Sequence, residues 1–260
     1  VLLEMSGDVN TTDELKKLSQ TFEIGVFGQT QIPEYKRYIP QKKDNNAKMP
    51  KKREIPEKPI NATQKNEAAN KEKSFEELAQ LASSIVMIAV HDRNSEIMGT
   101  GSGIMIGRDG YILTNCHVVN GGRFFSVRIE DDDEVYATDE IIKYNSNLDM
   151  AIIRIQKKLR PLPIYRGRQK LVRGQKVVAI GSPLGLFNSV SDGIISGFRT
   201  IGNEDMIQFT APISHGSSGG AVLNMQGEII GISTAGFDNG QNINLAMGYE
   251  NILLFAKGFY

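Results

Sequence analysis

The chain has 260 residues, 40% of them hydrophobic and 23% charged, with 30 Lys and Arg against 30 Asp and Glu. That length allows one or two domains with a substantial core, and the balanced charge gives no sign of a nucleic-acid or membrane partner. No stretch reaches the ~18 apolar residues needed to cross a bilayer, no signal-peptide pattern is present, and the single cysteine, Cys116, excludes an intrachain disulfide and leaves the compartment open.

Val1–Gly28 reads as strand, helix, strand, with apolar Val1-Leu2-Leu3, a capping box from Thr11 to Glu14, and a second apolar run at Phe22–Phe27. This is too little for a domain, so residues 1–32 are expected to be the tail of an upstream α/β region. Residues 33–73 hold five of the nine prolines and 12 Lys and Arg against 6 Asp and Glu. Few large apolar side chains lie there to offset the entropy of ordering, so Gln41–Lys73 reads as a disordered or extended basic linker. Lys51-Lys52-Arg53 could meet an acidic surface, and Asn61-Ala62-Thr63 matches a glycosylation acceptor that matters only in a secretory setting.

The third segment, 74–260, opens with a second capping box, Ser74 to Glu77, and a short helix. Short apolar or alternating runs then recur at Ile85–Val90, Gly103–Ile106, Tyr111–Thr114, Phe125–Ile129, Met150–Ile155, Lys176–Ile180, Gly193–Gly197, Met206–Phe209, Gly220–Leu223 and Glu228–Ser233. Turn signals such as Asp109-Gly110, Asn120-Gly121-Gly122, Gln226-Gly227 and Asn239-Gly240 separate them. Strands this short and this frequent leave no room for crossover helices and predict an all-β barrel or sandwich.

Three places carry chemistry. His117 follows the short strand Tyr111–Thr114, where a lone histidine is more often a satisfied core residue than a base. Asp149 stands at the mouth of a run, Met150–Ile155, that reads as buried on both faces. A carboxylate there requires a hydrogen-bonding partner, and an imidazole N–H is a suitable one. Thr210–Val222 sets Ser218 among Gly216, Gly219 and Gly220 before an apolar strand. Glycines at positive φ can lift a hydroxyl into solvent and turn backbone N–H groups toward one point, although the same tract also reads as a Gly/Ser-rich surface loop.

Cys116 adjoins His117, but neighbours along an extended segment face opposite ways, so the thiol is expected in the core. His91-Asp92 and Asp131-Asp132-Asp133-Glu134 lack zinc or calcium ligand spacing and read as solvated turns. No metal or cofactor is expected.

The order His, Asp, Ser resembles the chymotrypsin-like serine proteases, and the local wording is most similar to the HtrA/DegP branch. The pieces that carry the likeness are Gly101–Ile106, Thr114–Val119, Leu148–Ile153, Val190–Ser196, the serine loop and Gly227–Ala235, spanning roughly residues 76–255. The resemblance implies two six-stranded antiparallel β-barrels, with His117 and Asp149 from the first and Ser218 from the second. It makes Ser218 the nucleophile, His117 the general base and then acid, and Asp149 the orienting carboxylate. The oxyanion hole would use the N–H groups of Gly216 and Ser218, with Ser217 between them. Position 217 departs from the family, where asparagine or aspartate is more usual. Ser218 is preferred over Ser217 because it alone has Gly216 two residues before it and Gly219-Gly220 after it.

In the resembled fold the residue six before the nucleophile lies at the base of the primary specificity pocket. Here it is Pro212, followed by Ile213, so no counter-ion awaits a substrate lysine or arginine and cleavage after small or aliphatic residues is expected. Substrate would pair as an extended strand with Ser233, Thr234 and Ala235. The implied activity is endopeptidase cleavage of protein or peptide through an acyl-enzyme. Alternatives are a partner-activated protease cutting one dedicated protein, and an inactive peptide-binding domain of the same fold. The chain ends at Tyr260, so the PDZ domain that follows many HtrA-type proteases is not expected, and regulation could come from a partner acting through the N-terminal region.

Overall fold

The Ser74 capping box opens the described part of the molecule. Ser74 Oγ accepts from the Glu77 N–H at 3.2 Å while Glu77 Oε2 accepts from the Ser74 N–H at 2.7 Å, starting helix α1 (Phe75–Ala79). A 3₁₀ turn over Gln80–Ser84 carries the chain into the first strand. Ser74→Ala is expected to cost about 1 kcal/mol and to lower the thermal unfolding midpoint by about 2–4 °C in a circular-dichroism melt. This is a computed structural model, and it describes residues 71–182, 187–236 and 242–260. The α/β reading of 1–32, nearly all of the basic linker and the Asn239-Gly240 turn lie outside the described residues.

Seven strands form the first sheet: β1 (Ile85–His91), β2 (Ile97–Met105), β3 (Tyr111–Thr114), β4 (Phe124–Ile129), β5 (Val135–Thr138), β6 (Ile141–Asn145) and β7 (Met150–Arg154). Their antiparallel order is β5-β4-β1-β2-β3-β7-β6. A one-turn helix, α2 (Cys116–Val119), follows β3. The second half is a closed barrel, β10-β13-β12-β11-β8-β9, built from β8 (Lys176–Gly181), β9 (Ser189–Ile201), β10 (Glu204–Phe209), β11 (Ala221–Leu223), β12 (Ile229–Gly236) and β13 (Asn244–Gly248). Helix α3 (Tyr249–Phe255) follows the last strand.

The expectation of two six-stranded barrels is met in one half. The second half is a six-stranded barrel, and the first is a seven-stranded sheet that curls without closing. Its edge strands β5 and β6 are separated in sequence only by Asp139 and Glu140, so the sheet must roll to bring its edges together. At that junction a side chain takes the place of ladder bonds. The Thr138 hydroxyl donates to the Arg154 carbonyl at 2.6 Å and accepts from the Glu140 N–H at 3.1 Å.

Three apolar clusters explain why so many runs are continuously hydrophobic. Ile112, Ala151 and Ile153 face the inside of the first sheet, whereas their neighbours Leu113, Met150 and Ile152 face outward into the contact between the halves. On the barrel side Val178, Ile180, Ala221 and Ile232 meet that contact, while Val177, Ala179, Val222 and Ile230 fill the barrel. Strands buried on both faces have no polar side to alternate with. Ile252 and Phe255 of α3 and Leu78 of α1 join the central cluster.

Candidate active site

His117 sits on α2 and not on an extended segment. The same turn buries Cys116, which lies beneath the site while the His117 side chain remains 24% exposed. Burial, and after it the charge of Asp149, pushes the Cys116 thiol up to about 11. We expect iodoacetamide at pH 8 to leave Cys116 unmodified in the native protein and to alkylate it in denaturant, read by intact mass.

Asp149 is held by every polar group it has near the site. Its backbone is in the left-handed region, φ +48°, which aspartate tolerates better than most residues. Its carbonyl accepts from the Cys116 N–H at 3.2 Å and from Asn115 Nδ2 at 2.8 Å. One carboxylate oxygen, Oδ1, accepts from the His117 N–H at 2.9 Å, and the other, Oδ2, meets His117 Nδ1 at 2.7 Å. An ionised carboxylate only accepts, so in the neutral imidazole the proton sits on Nδ1 and the lone pair on Nε2.

The serine comes from the other half. Gly216 and Gly219 adopt φ +91° and +86° on either side of Ser217-Ser218. A Cβ on Gly219 would lie 2.1 Å from the Ser102 carbonyl oxygen, so the loop passes too close to β2 for any side chain there. The Ser218 hydroxyl donates to the Thr234 carbonyl at 3.5 Å and makes no hydrogen bond to His117 among the described residues. Such contacts often tighten only when substrate binds. The Ser217 N–H is spent on the Ser214 carbonyl at 2.9 Å, whereas the N–H groups of Gly216 and Ser218 have no acceptor among the described residues. Two open donors thus flank one that is closed.

Strand β12 positions Thr234 through a bulge. Its pairing with β13 shifts between Ser233 and Ala235, leaving Thr234 outside the ladder. The freed Thr234 carbonyl faces Ser218, and its hydroxyl accepts from Asn115 Nδ2 at 3.2 Å. Asn115 therefore ties the Asp149 carbonyl in one half to the Ser218 neighbourhood in the other. Pro212, Ile213 and Ser233 line a cavity of about 310 Å³ together with Ser189, Ser191 and Ser214. Among the described residues no charged side chain borders it. Ala235 pairs with Leu245 of β13.

Ser102 and Asn115 carry no role in the sequence reading, although both fall inside its matching pieces. The signal at Ser102 was its flanking glycines. A Cβ at Gly101 would lie 2.6 Å from Val118, and one at Gly103 2.5 Å from Ile112. His91 and Asp92 form a hairpin turn: the His91 ring contacts the Ser95 carbonyl and Asp92 caps the Asn94 and Glu96 N–H groups. Among the described residues no group of three or more His, Cys, Asp or Glu is arranged to hold a metal.

The profile of the trypsin-like peptidase domain matches residues 101–232. The chain is 32% identical over 182 residues to the anti-sigma-I factor RsgI9 of Acetivibrio thermocellus, covering 70% of this chain and 25% of that protein. It is 40% identical over 147 residues to a probable periplasmic serine endoprotease, DegP-like, of Pseudomonas fluorescens, covering 55% of this chain and 30% of that one. Among solved structures, a serine endoprotease from Yersinia pestis aligns with a TM-score of 0.63 at 29% identity, over 70% of this chain and 65% of that chain. The chain spans only 25–30% of the length of those two curated relatives. With a profile match across half its residues, and a barrel and a curled half-barrel shared with a solved serine endoprotease, this chain belongs to the trypsin-like peptidase family, and it is similar to DegP-like serine endoproteases.

Proposed function

We propose that the chain is a serine endopeptidase in which Ser218 attacks, His117 moves the proton and Asp149 orients His117. The observation that carries this reading is the doubly anchored Asp149–His117 pair, which leaves the His117 Nε2 lone pair as the available base. In the first step Ser218 Oγ bonds to the scissile carbonyl carbon and its proton passes to Nε2. The carbonyl oxygen gains the negative charge and receives the Gly216 and Ser218 N–H donors. Collapse breaks the C–N bond as His117 protonates the leaving amine, giving the acyl-enzyme. Water then gives its proton to Nε2, its oxygen attacks the ester carbon, and Ser218 leaves with that proton restored.

The uncharged cavity supports small or aliphatic residues on the acyl side of the cut bond. Pro212 at its edge offers no partner for a cation, and the serine hydroxyls around it carry no charge. Digestion of unfolded casein, followed by mass-spectrometric mapping of the cut sites, tests this. Cleavage after Ala, Val, Ser or Thr is expected. Pro212→Asp is expected to raise cutting after Lys and Arg at least tenfold relative to Val, because a buried carboxylate gains a paired charge. Predominant cleavage after Lys or Arg by the unaltered chain would sink the pocket assignment. Loss of casein cleavage in the wild type, alongside unreactive Ser218, would sink the endopeptidase reading itself.

A further inference from the structure

We infer that the Ser102 hydroxyl is a positioning group for the oxyanion donors, holding the Gly216 end of the serine loop from across the interface between the two halves; this rests on the Ser218 reading above. Ser102 belongs to β2 and is fully buried, yet three of its four polar contacts leave its own sheet. Its N–H donates to the Ser218 carbonyl at 2.8 Å. Its hydroxyl donates to the Gly216 carbonyl at 2.7 Å and accepts from the Ser182 N–H at 2.8 Å. The fourth contact, the Thr114 hydroxyl donating to the Ser102 carbonyl at 2.7 Å, stays within the first half.

Chemistry fixes the direction of these bonds. A backbone N–H only donates, so the Ser102 oxygen accepts from Ser182 and its single proton is committed to Gly216. The Gly216–Ser217 peptide is then clamped at both ends, its carbonyl by Ser102 and its N–H by the Ser214 carbonyl. On either side of that clamped plane stand the two open donors, Gly216 N–H and Ser218 N–H. Glycine passes between positive and negative φ without the steric penalty other residues meet. The clamp on the following peptide therefore helps hold Gly216 at φ +91°, the angle that sets the direction of its N–H. Released at the carbonyl end, Gly216 turns and one of the two donors is lost.

The same hydroxyl reaches the exit of β8. Ser182 Oγ continues to Asn188 Oδ1 at 3.2 Å, and Asn188 Nδ2 donates to the Ala82 carbonyl and to Glu130 Oε2, each at 2.8 Å. Ser102 thus ties the serine loop to the turn before β9 as well as to β2.

The test is saturation kinetics of a fluorophosphonate probe on the full chain, with the labelled residue mapped by mass spectrometry. Ser102→Ala is expected to lower the maximal labelling rate about 100-fold, the lower end of what one lost donor costs, with half-saturation unchanged within twofold and label still on Ser218. Ser102→Cys, whose thiol donates weakly, is expected to fall between, and serves also if the alanine variant does not fold. Thr138→Val is the matched control, because the Thr138 hydroxyl likewise donates to a carbonyl and accepts from a backbone N–H, far from the loop. It is expected to lower the unfolding midpoint while labelling at the wild-type rate. Wild-type labelling rates in both Ser102 variants overturn the inference, as does a rate loss in Thr138→Val equal to theirs. An unlabelled wild type overturns the Ser218 reading beneath it and this inference with it.

Discussion

Ser218→Ala is expected to abolish fluorophosphonate labelling and to lower peptide-bond hydrolysis by about 10⁶-fold, the cost of removing the nucleophile from a unit that acts together. Ser217→Ala is expected to label at Ser218 within about tenfold of the wild-type rate. The two adjacent hydroxyls differ in what surrounds them. Ser217 is buried, its hydroxyl accepts from the Ser214 N–H at 3.3 Å, and it borders the cavity. Ser218 holds its hydroxyl toward the Thr234 carbonyl at 3.5 Å, a long contact that a proton acceptor on substrate binding can replace. Its own N–H is one of the two open donors. Label surviving in Ser218→Ala and vanishing in Ser217→Ala would move the nucleophile by one residue and dismantle the oxyanion geometry argued above.

How much of this was legible in the sequence depended on whether a residue's role is set by its own chemistry or by its neighbours. Tyr111–Thr114 was read with the bounds the structure gives, because a β-branched and aromatic run between Asp109-Gly110 and Asn115 has few other uses. Strand β13, Asn244-Leu-Ala-Met-Gly, escaped the reading because none of its residues is β-branched or aromatic. It is a strand because β10 and β12 pair with both its edges. The reading caught only Gly193–Gly197 of β9, whose Ser, Asp and Gly residues interrupt the pattern. The structure extends it over 13 residues by pairing its first half with β8 and its second with β10.

The candidate site divides in the same way. Histidine, aspartate and a glycine-flanked serine announce themselves, since each is costly or strained unless it has a task. Ser102, Thr114 and Asn115 are ordinary polar residues until the halves meet, and only then does full burial force each into a specific hydrogen bond. The count of strands in the first sheet was not legible either. Whether β5 and β6 form a ladder or merely approach is decided by two connecting residues and a threonine side chain.

Asp149→Asn is expected to lower kcat by about 10⁴-fold while KM stays within about threefold and the unfolding midpoint changes little. Asparagine tolerates the left-handed backbone that position 149 adopts, so the loop has no reason to move. The damage lies in the proton. One side-chain oxygen must still accept the His117 N–H, now held at 2.9 Å by Oδ1, because turning the amide over would oppose two donors. The amide NH₂ therefore faces Nδ1, which can answer only as an acceptor. The imidazole proton moves to Nε2, and the nitrogen that should take the proton from Ser218 no longer has a lone pair to offer. Asp149→Ala separates orientation from tautomer: it leaves the His117 N–H without its side-chain partner and removes the short polar side chain that eases φ +48° in aspartate and asparagine, so it is expected to lose stability as well as rate. An Asp149→Asn variant that kept more than a tenth of wild-type kcat would show that the contact with Nδ1 at 2.7 Å does not select the tautomer, and His117 would lose its claim to be the base.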